Sequence, residues 1–365
     1  MVSEWASSHS EPAIRSPEAF MLALHHMKAV LETPLKLRPK GLAVYVGCVA
    51  ILLTVMTALT LAVAGGRLPI DTRFIAVTLC VNGFLAILLL LAHRDIQSSL
   101  TARIASNSKG AWLLQCLILL LYLAYALGTD SFRTLGFLKL AGYVLLPALL
   151  LLAIRQPEQR LVWQDVVAIL ALWLPLDFRW MRDVWGWPSH SLAYSMNSLL
   201  ATGLAVFLFV CVRRLEGVGY RCHFEKRDVW IGLRNFLLFA PVAIPIGLMT
   251  GFITISGRQI SGSQVLLSAF GIFFLIAIPE ELLFRGIIQN FLEKTLRKPA
   301  LALVVTSLVF GAAHLNNGPE ADWRYFLLAS LAGLFYGNAY RRTLGLMAPA
   351  FVHTLVDTVW RAFFR

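Results

Sequence analysis

The sequence predicts an all-α, polytopic transmembrane helical bundle of about 10–11 spans, and three observations carry that prediction. Of 365 residues, 58% are hydrophobic and only 14% charged, far from the mix of a soluble domain. Apolar stretches near the ~20 residues that cross hydrocarbon recur along the whole chain. They lack the alternation of barrel strands, and open sheets cannot satisfy their backbone groups in lipid, so each stretch is expected to be helical.

In chain order the stretches are 41–64, 74–92, 111–128, 134–154, 161–177, 191–212, 229–252, 263–292, 299–315, 323–340 and 344–360. Before them, residues 1–40 hold Glu4, Glu11, Arg15, Glu18, Lys28, Lys36, Arg38 and Lys40 with no early apolar core, so they do not read as a cleaved signal peptide. The first span then serves as an uncleaved anchor. Within that segment EAFMLALHHMKAVLE is weakly amphipathic, fit for a membrane surface or for an ordinary solvated helix. The longest later polar interruption is RRLEGVGYRCHFEKRD at 213–228. Three regions follow: a cytoplasmic N-terminal segment 1–40, a transmembrane region 41–228 of unassigned role, and a C-terminal region 229–365.

A net charge of +12 raises the question of nucleic acid, but the basic residues fall in alternate loops and form no single patch, so no nucleic-acid partner is expected. Lys36, Arg38 and Lys40 lie on the same side as Arg94, Arg103 and Lys109, as Arg155 and Arg160, as Arg213 to Arg227, as Lys294 to Lys298, and as Arg341 and Arg342. That is the positive-inside pattern, and it places the N-terminus in the cytoplasm and, with an odd span count, the C-terminus outside. The partner is the lipid bilayer, taken as a bacterial inner membrane. Trp180, Trp185 and Trp187 in an opposite loop are expected to form an interfacial aromatic belt. The five cysteines show no CxxC spacing and no disulfide framework.

Ionisable residues inside the earlier spans are few. Lys139 and Asp165 lie close enough to span ends to snorkel or sit at the interface, and Arg234 is read the same way. Gly333 and Gly337 form a GxxxG, which lets that span pack closely on a neighbour.

The last hundred residues differ. Glu280, Glu281 and Arg285, then Phe310 and His314, then His353 and Asp357, lie well inside their spans, where charge costs several kcal/mol. Helical spacing puts Glu281 and Arg285 on one face with the acid N-terminal to the base, the favourable order for an ion pair. Glu280 is turned about 100° away and has no such partner, so it is the reactive carboxylate and candidate general base. Pro279 cannot donate a backbone bond to Leu275, which kinks the helix and frees a carbonyl beside Glu280. A rise of ~1.5 Å per residue from the basic loops puts Glu280, His314 and Asp357 at a common depth of roughly 20–24 Å, with His353 about a turn nearer. A lone buried histidine is ordinarily a hydrogen-bonded core residue; two histidines, an extra glutamate and an aspartate at one depth point to a site.

Together EExxxR at Glu280, Glu281 and Arg285, FxxxH at Phe310 and His314, and Hxxx(N/D) at His353 and Asp357 resemble the motifs of the CPBP family of intramembrane proteases. That group contains the type II CAAX prenyl proteases and the bacterial Abi proteins, and the resemblance covers roughly 263–361. It implies hydrolysis of a peptide bond in a membrane-associated or hydrophobic peptide. Glu280 and His314 would activate water, His353 and Asp357 would face the oxyanion, and Glu281 with Arg285 would support the site. In the prenyl protease branch the last position is typically Asn; Asp357 either carries a proton or orients His353 by a carboxylate–imidazole bond.

With neutral histidines, three carboxylates face one arginine, an excess of two negative charges that a shared proton or a divalent cation would relieve. Glu280, His314 and His353 are a possible Zn²⁺ ligand set; the preferred reading requires no cofactor, because a ligating Glu280 could not also act freely as a base. No HExxH, rhomboid-type GxSG or presenilin-type GxGD is present. The alternative reading is a transporter or scaffold using buried acids for proton or cation coupling, against which no paired repeats stand out. Oligomeric state and substrate identity have no signal in the sequence.

Overall fold

A computed structural model describes residues 39–64, 71–154, 158–187, 190–221, 223–256, 261–318 and 320–365, so the proposed amphipathic stretch near the N-terminus lies outside the described residues. The described chain is all-α, with twelve helices, short 3₁₀ turns at Ser108–Trp112 and His314–Asn316, and an isolated bridge between Ile255 and Phe364. They are α1 (Pro39–Ala64), α2 (Thr72–Leu91), α3 (Arg94–Ser106), α4 (Leu113–Gly128), α5 (Thr134–Leu152) and α6 (Trp163–Asp177). Then come α7 (His190–Val206, extended by Phe207–Val212), α8 (Lys226–Met249), the composite α9 (Gly262–Leu296), α10 (Pro299–Ala313), α11 (Trp323–Thr343) and α12 (Met347–Phe363).

A helix falls on every predicted apolar segment. The extra one, α3, buries only Ile104, so its hydropathy does not rise above that of the basic loop it was read as. Among the described residues, seven helices are long and apolar enough to cross a membrane: α2, α4, α5, α7, α8, α9 and α10. Helices α6 and α12, with 15 and 17 residues, fall short in length and α11 in apolarity, since it carries Arg324, Arg341 and Arg342; in α1, 26 residues long, the apolar run Gly41–Val55 is counted among the described residues.

Residues 46–365 form one compact unit with a continuous core that runs from Cys80 and Phe84 to Val352; 39–45 are the first turns of α1. Around the site, α10 packs along α11, and α8 lies against both α11 and α12. The GxxxG makes the first contact possible: a Cβ on Gly333 would stand 2.9 Å from Ser307 Cα, and one on Gly337 would collide with Leu303 Cδ1. The bare carbonyls of the two glycines accept from α9, Gly333 from Arg285 Nη2 at 3.4 Å and Gly337 from Gln289 Nε2 at 3.3 Å.

Two expectations change and one holds. Asp165 does not sit at an interface: it is fully buried, its two oxygens 2.7 and 3.0 Å from Arg213 Nε and Nη2, and it also caps α6 through the Val162 N–H. Burial of the acid is tolerable because a bidentate arginine accompanies it. Lys139 does reach a surface, where it pairs with Asp183 at 2.8 Å and its ammonium holds the Asp183 carboxyl below the usual carboxylate range. Trp185 is no belt residue: it is fully buried, edge-on to Phe84, Tyr122 and Tyr125, with its indole N–H donated to Asn197 at 2.7 Å, while Trp180 remains 59% exposed.

Candidate active site

The site is built on α9 where its helix is irregular. Wider π turns at Phe273–Ala277 and Leu282–Gln289 flank the short α-helical stretch Ile278–Glu281, which contains Pro279 and both glutamates. Such insertions recur where a helix must aim side chains at a site. As the spacing predicted, Glu281 and Arg285 pair: Nη1 donates to Oε1 at 3.2 Å, and Nε stands 3.1 Å from Oε2, with both side chains fully buried. The guanidinium is boxed by rings, its Cζ 4.3 Å from the centre of Phe310 and 5.3 Å from that of Tyr336.

Glu281 has a second partner. Its Oε1 accepts from His353 Nδ1 at 2.8 Å, so the carboxylate that neutralises Arg285 also fixes the His353 ring and points Nε2 into the site. The ring lies flat on Tyr336, centroids 4.8 Å apart. Asp357, which the motif offered either as a protonated acid or as the group that orients His353, is farther off: its Oδ2 is 3.6 Å from Nε2, on the open side of the ring.

His314 ends α10. Its Nδ1 is 2.8 Å from the Phe310 carbonyl, and a carbonyl only accepts, so Nδ1 carries a hydrogen; in the neutral ring the lone pair is then on Nε2, the nitrogen that faces the site. Phe310 and Tyr325 flank the ring at 4.5 and 5.0 Å. Glu280 then stands between the two imidazoles, Oε2 4.0 Å from His314 Nε2 and 3.9 Å from His353 Nε2; that oxygen is buried and has no hydrogen-bond partner among the described residues, while the side chain as a whole is 31% exposed. These gaps are too wide for direct hydrogen bonds. Two acceptors ~4 Å apart can share a water ~2.8 Å from each, at an angle of roughly 90°.

All six candidate residues, Glu280, Glu281, Arg285, His314, His353 and Asp357, are thereby linked through contacts of 4.0 Å or less. Phe310, which entered as a motif letter, proves to be the ring shared by Arg285, His314 and His353. The sequence reading missed Tyr325 and Tyr336; an aromatic on an apolar helix face looks like any core residue, and only the proximity of Tyr336 to Gly333 and Gly337 set it apart. A cavity of about 590 Å³ opens on Glu280, His314, His353 and Asp357, with mostly apolar walls drawn from α6 to α12.

Glu280, His314 and His353 are donors of the zinc kind, and a carboxylate behind His353 is the usual outer support of a ligating imidazole. Ligands ~2.1 Å from one tetrahedral ion stand roughly 3.3–3.6 Å from each other, closer than the 3.9 and 4.0 Å found here. Among the described residues no three His, Cys, Asp or Glu side chains converge at ligand spacing. As placed, the set fits a water between its members better than an ion.

Comparison with known proteins bears on the same stretch. Residues 261–359 match the family model of the type II CAAX prenyl endopeptidase Rce1-like proteins. An uncharacterised protein of Bacillus subtilis (strain 168), YpbD, is 30% identical over 86 residues, which span 24% of this chain and 40% of that protein. The chain thus covers less than half of the curated relative it matches, and no solved structure matches it. The stretch 261–359, which holds all six candidate residues in an integral membrane protein, carries the pattern of the Rce1-like type II CAAX prenyl endopeptidases, the family its three motifs resemble.

Proposed function

We propose that the chain is an intramembrane endopeptidase that hydrolyses a peptide bond in a membrane-associated or hydrophobic peptide. One observation carries the reading: a buried, unpartnered Glu280 oxygen set 4.0 and 3.9 Å from the outward nitrogens of His314 and His353. A water held between Glu280 Oε2 and His314 Nε2 gives up a proton to Glu280 as its oxygen attacks the scissile carbonyl carbon. The carbonyl π pair moves onto oxygen, which His353 meets in its doubly protonated form, Nδ1–H on Glu281 and Nε2–H donated to the oxyanion, with Asp357 beside it. When the tetrahedral intermediate collapses, the C–N bond breaks and the proton on Glu280 passes to the leaving amine, which restores the carboxylate.

Arg285 and Glu281 act behind this surface. The arginine neutralises Glu281, and Glu281 holds His353. The mostly apolar cavity suits an extended hydrophobic segment, which on binding displaces bulk water from around the base.

The test is purification of the full chain in detergent, incubation with a panel of membrane peptides, and comparison with Glu280→Gln and His314→Ala. Defined peptide fragments from the wild type, lost in both variants, are expected. Cleavage that survives both substitutions overturns the mechanism, and ion-coupled flux in liposomes without cleavage favours a transporter.

A further inference from the structure

Helix α7 precedes the 261–359 match, yet it forms one wall of the cavity through Tyr194, Asn197, Ser198, Ala201 and Thr202. One of these residues reaches the backbone of α9. Ser198 Oγ donates to the Leu275 carbonyl at 2.6 Å, and Ser198 is itself held in place where Thr202 Oγ1 donates to its carbonyl at 2.7 Å. Leu275 lies four residues before Pro279, the position whose missing N–H leaves a helical carbonyl without its usual donor. A carbonyl left without its helical donor takes another where one is within reach, and here a side chain of α7 lies against it. Ser198 supplies it, one turn before Glu280.

We propose that Ser198 is a positioning residue for Glu280: it makes the hydrogen bond that Pro279 cannot, and so fixes the turn on which the reacting carboxylate stands. The proposal rests on Glu280 being the base. Its physical content is that the proline and the serine work as a pair. The proline opens α9 at the site, and the serine, from a helix outside the family match, decides where the opened turn rests. A displacement of ~1 Å at a reacting group costs up to ~10²-fold in rate, so a fraction of that shift is measurable.

The experiment is a double-mutant cycle on the full chain with Ser198→Ala, Pro279→Ala and both together, since replacing the proline by alanine restores an N–H that can reach Leu275. Ser198→Ala alone is expected to lower kcat about tenfold with KM within about twofold, whereas in the Pro279→Ala background the same change costs less than about twofold. Ser198→Thr keeps the hydroxyl and is expected to stay near wild type. Equal losses in both backgrounds, or a threonine variant as poor as the alanine one, overturn the proposal. Thermal unfolding of the same proteins reads the bond without reference to catalysis. Coupling in stability beside a wild type that cleaves nothing overturns the endopeptidase reading and with it the role given to Ser198. Robust wild-type cleavage with strictly additive losses overturns the Ser198 role alone.

Discussion

Glu281 Oε1 stands 2.8 Å from His353 Nδ1 while its carboxylate also holds Arg285, so one buried acid serves two helices that meet 72 residues apart in sequence. The two adjacent glutamates therefore have separable tasks, and substitution should separate them. Glu281→Gln leaves Arg285 without its counter-charge, and breaking a buried pair from one side costs about 3–5 kcal/mol, to be seen as lost stability in denaturant or thermal unfolding. Glu280→Gln removes no hydrogen bond that the folded chain makes, so its stability should stay near wild type while kcat falls by about 10²–10⁴. A Glu280 variant as destabilised as the Glu281 one would refute this division.

Asp357 faces the outer nitrogen of His353 at 3.6 Å, but the ring is already anchored from behind by Glu281. A carboxylate at 357 is therefore not needed to hold His353, and what the position supplies is a polar group beside the developing oxyanion. Asp357→Asn, which keeps size and adds a donor, is expected to retain activity within about tenfold, and Asp357→Ala to lose about 10²-fold. If the asparagine variant is as inactive as the alanine one, the negative charge itself is required and the oxyanion assignment fails.

Metal dependence follows from spacing. With Glu280 Oε2 3.9 and 4.0 Å from the two imidazole nitrogens, the expected outcome is that peptide cleavage persists after prolonged treatment with a strong zinc chelator. Metal analysis of the purified chain should then show far less than one equivalent. Cleavage lost on chelation and restored by Zn²⁺ would require the three side chains to close around an ion.

Local spacing made much of this legible. The Glu281–Arg285 pair, the separate direction of Glu280 and the carbonyl freed by Pro279 are all consequences of helix geometry within one segment, and they could be read before any tertiary contact was known. What escaped depends on partners remote in the chain. Asp165 looked interfacial because Arg213 is 48 residues away. Trp185 looked like a belt residue because its core of Phe84, Tyr122 and Tyr125 precedes it by 60 residues or more. The donor to Leu275 carried no signal at all: Ser198 is one small polar residue in an apolar helix, and the sequence shows that a donor is needed without showing which.

Phe310 offers a sharper test of the ring cluster. Its face lies 4.3 Å from the Arg285 guanidinium in a place without water, where a cation–π contact contributes about 2 kcal/mol. Phe310→Leu keeps an apolar side chain but loses the π face, so a loss of about 2 kcal/mol is expected, together with lower kcat because Arg285 and His314 share that wall. In an Arg285→Met background, where no cation remains, the same change should cost clearly less. Equal costs in the two backgrounds would show that Phe310 acts by filling volume alone.

Gly333 bears on the same arginine from the far side. Its carbonyl accepts from Arg285 Nη2, and its bare Cα lets α11 lie against Ser307 of α10, where an added Cβ would come within 2.9 Å of backbone. Backbone cannot swing aside as a flexible side chain can, so Gly333→Ala must push α11 away from α10 and carry both the carbonyl and Tyr336 with it. Overpacking of this kind costs about 1–3 kcal/mol. Because Tyr336 is the ring beneath His353, the variant should also lose kcat more than it raises KM. The matching control is Gly142→Ala, where a Cβ meets nothing within 4 Å and no comparable loss is expected. If Gly333→Ala unfolds at the wild-type temperature with unchanged kcat, the close approach of α10 and α11 is not what holds Arg285 and His353 in register.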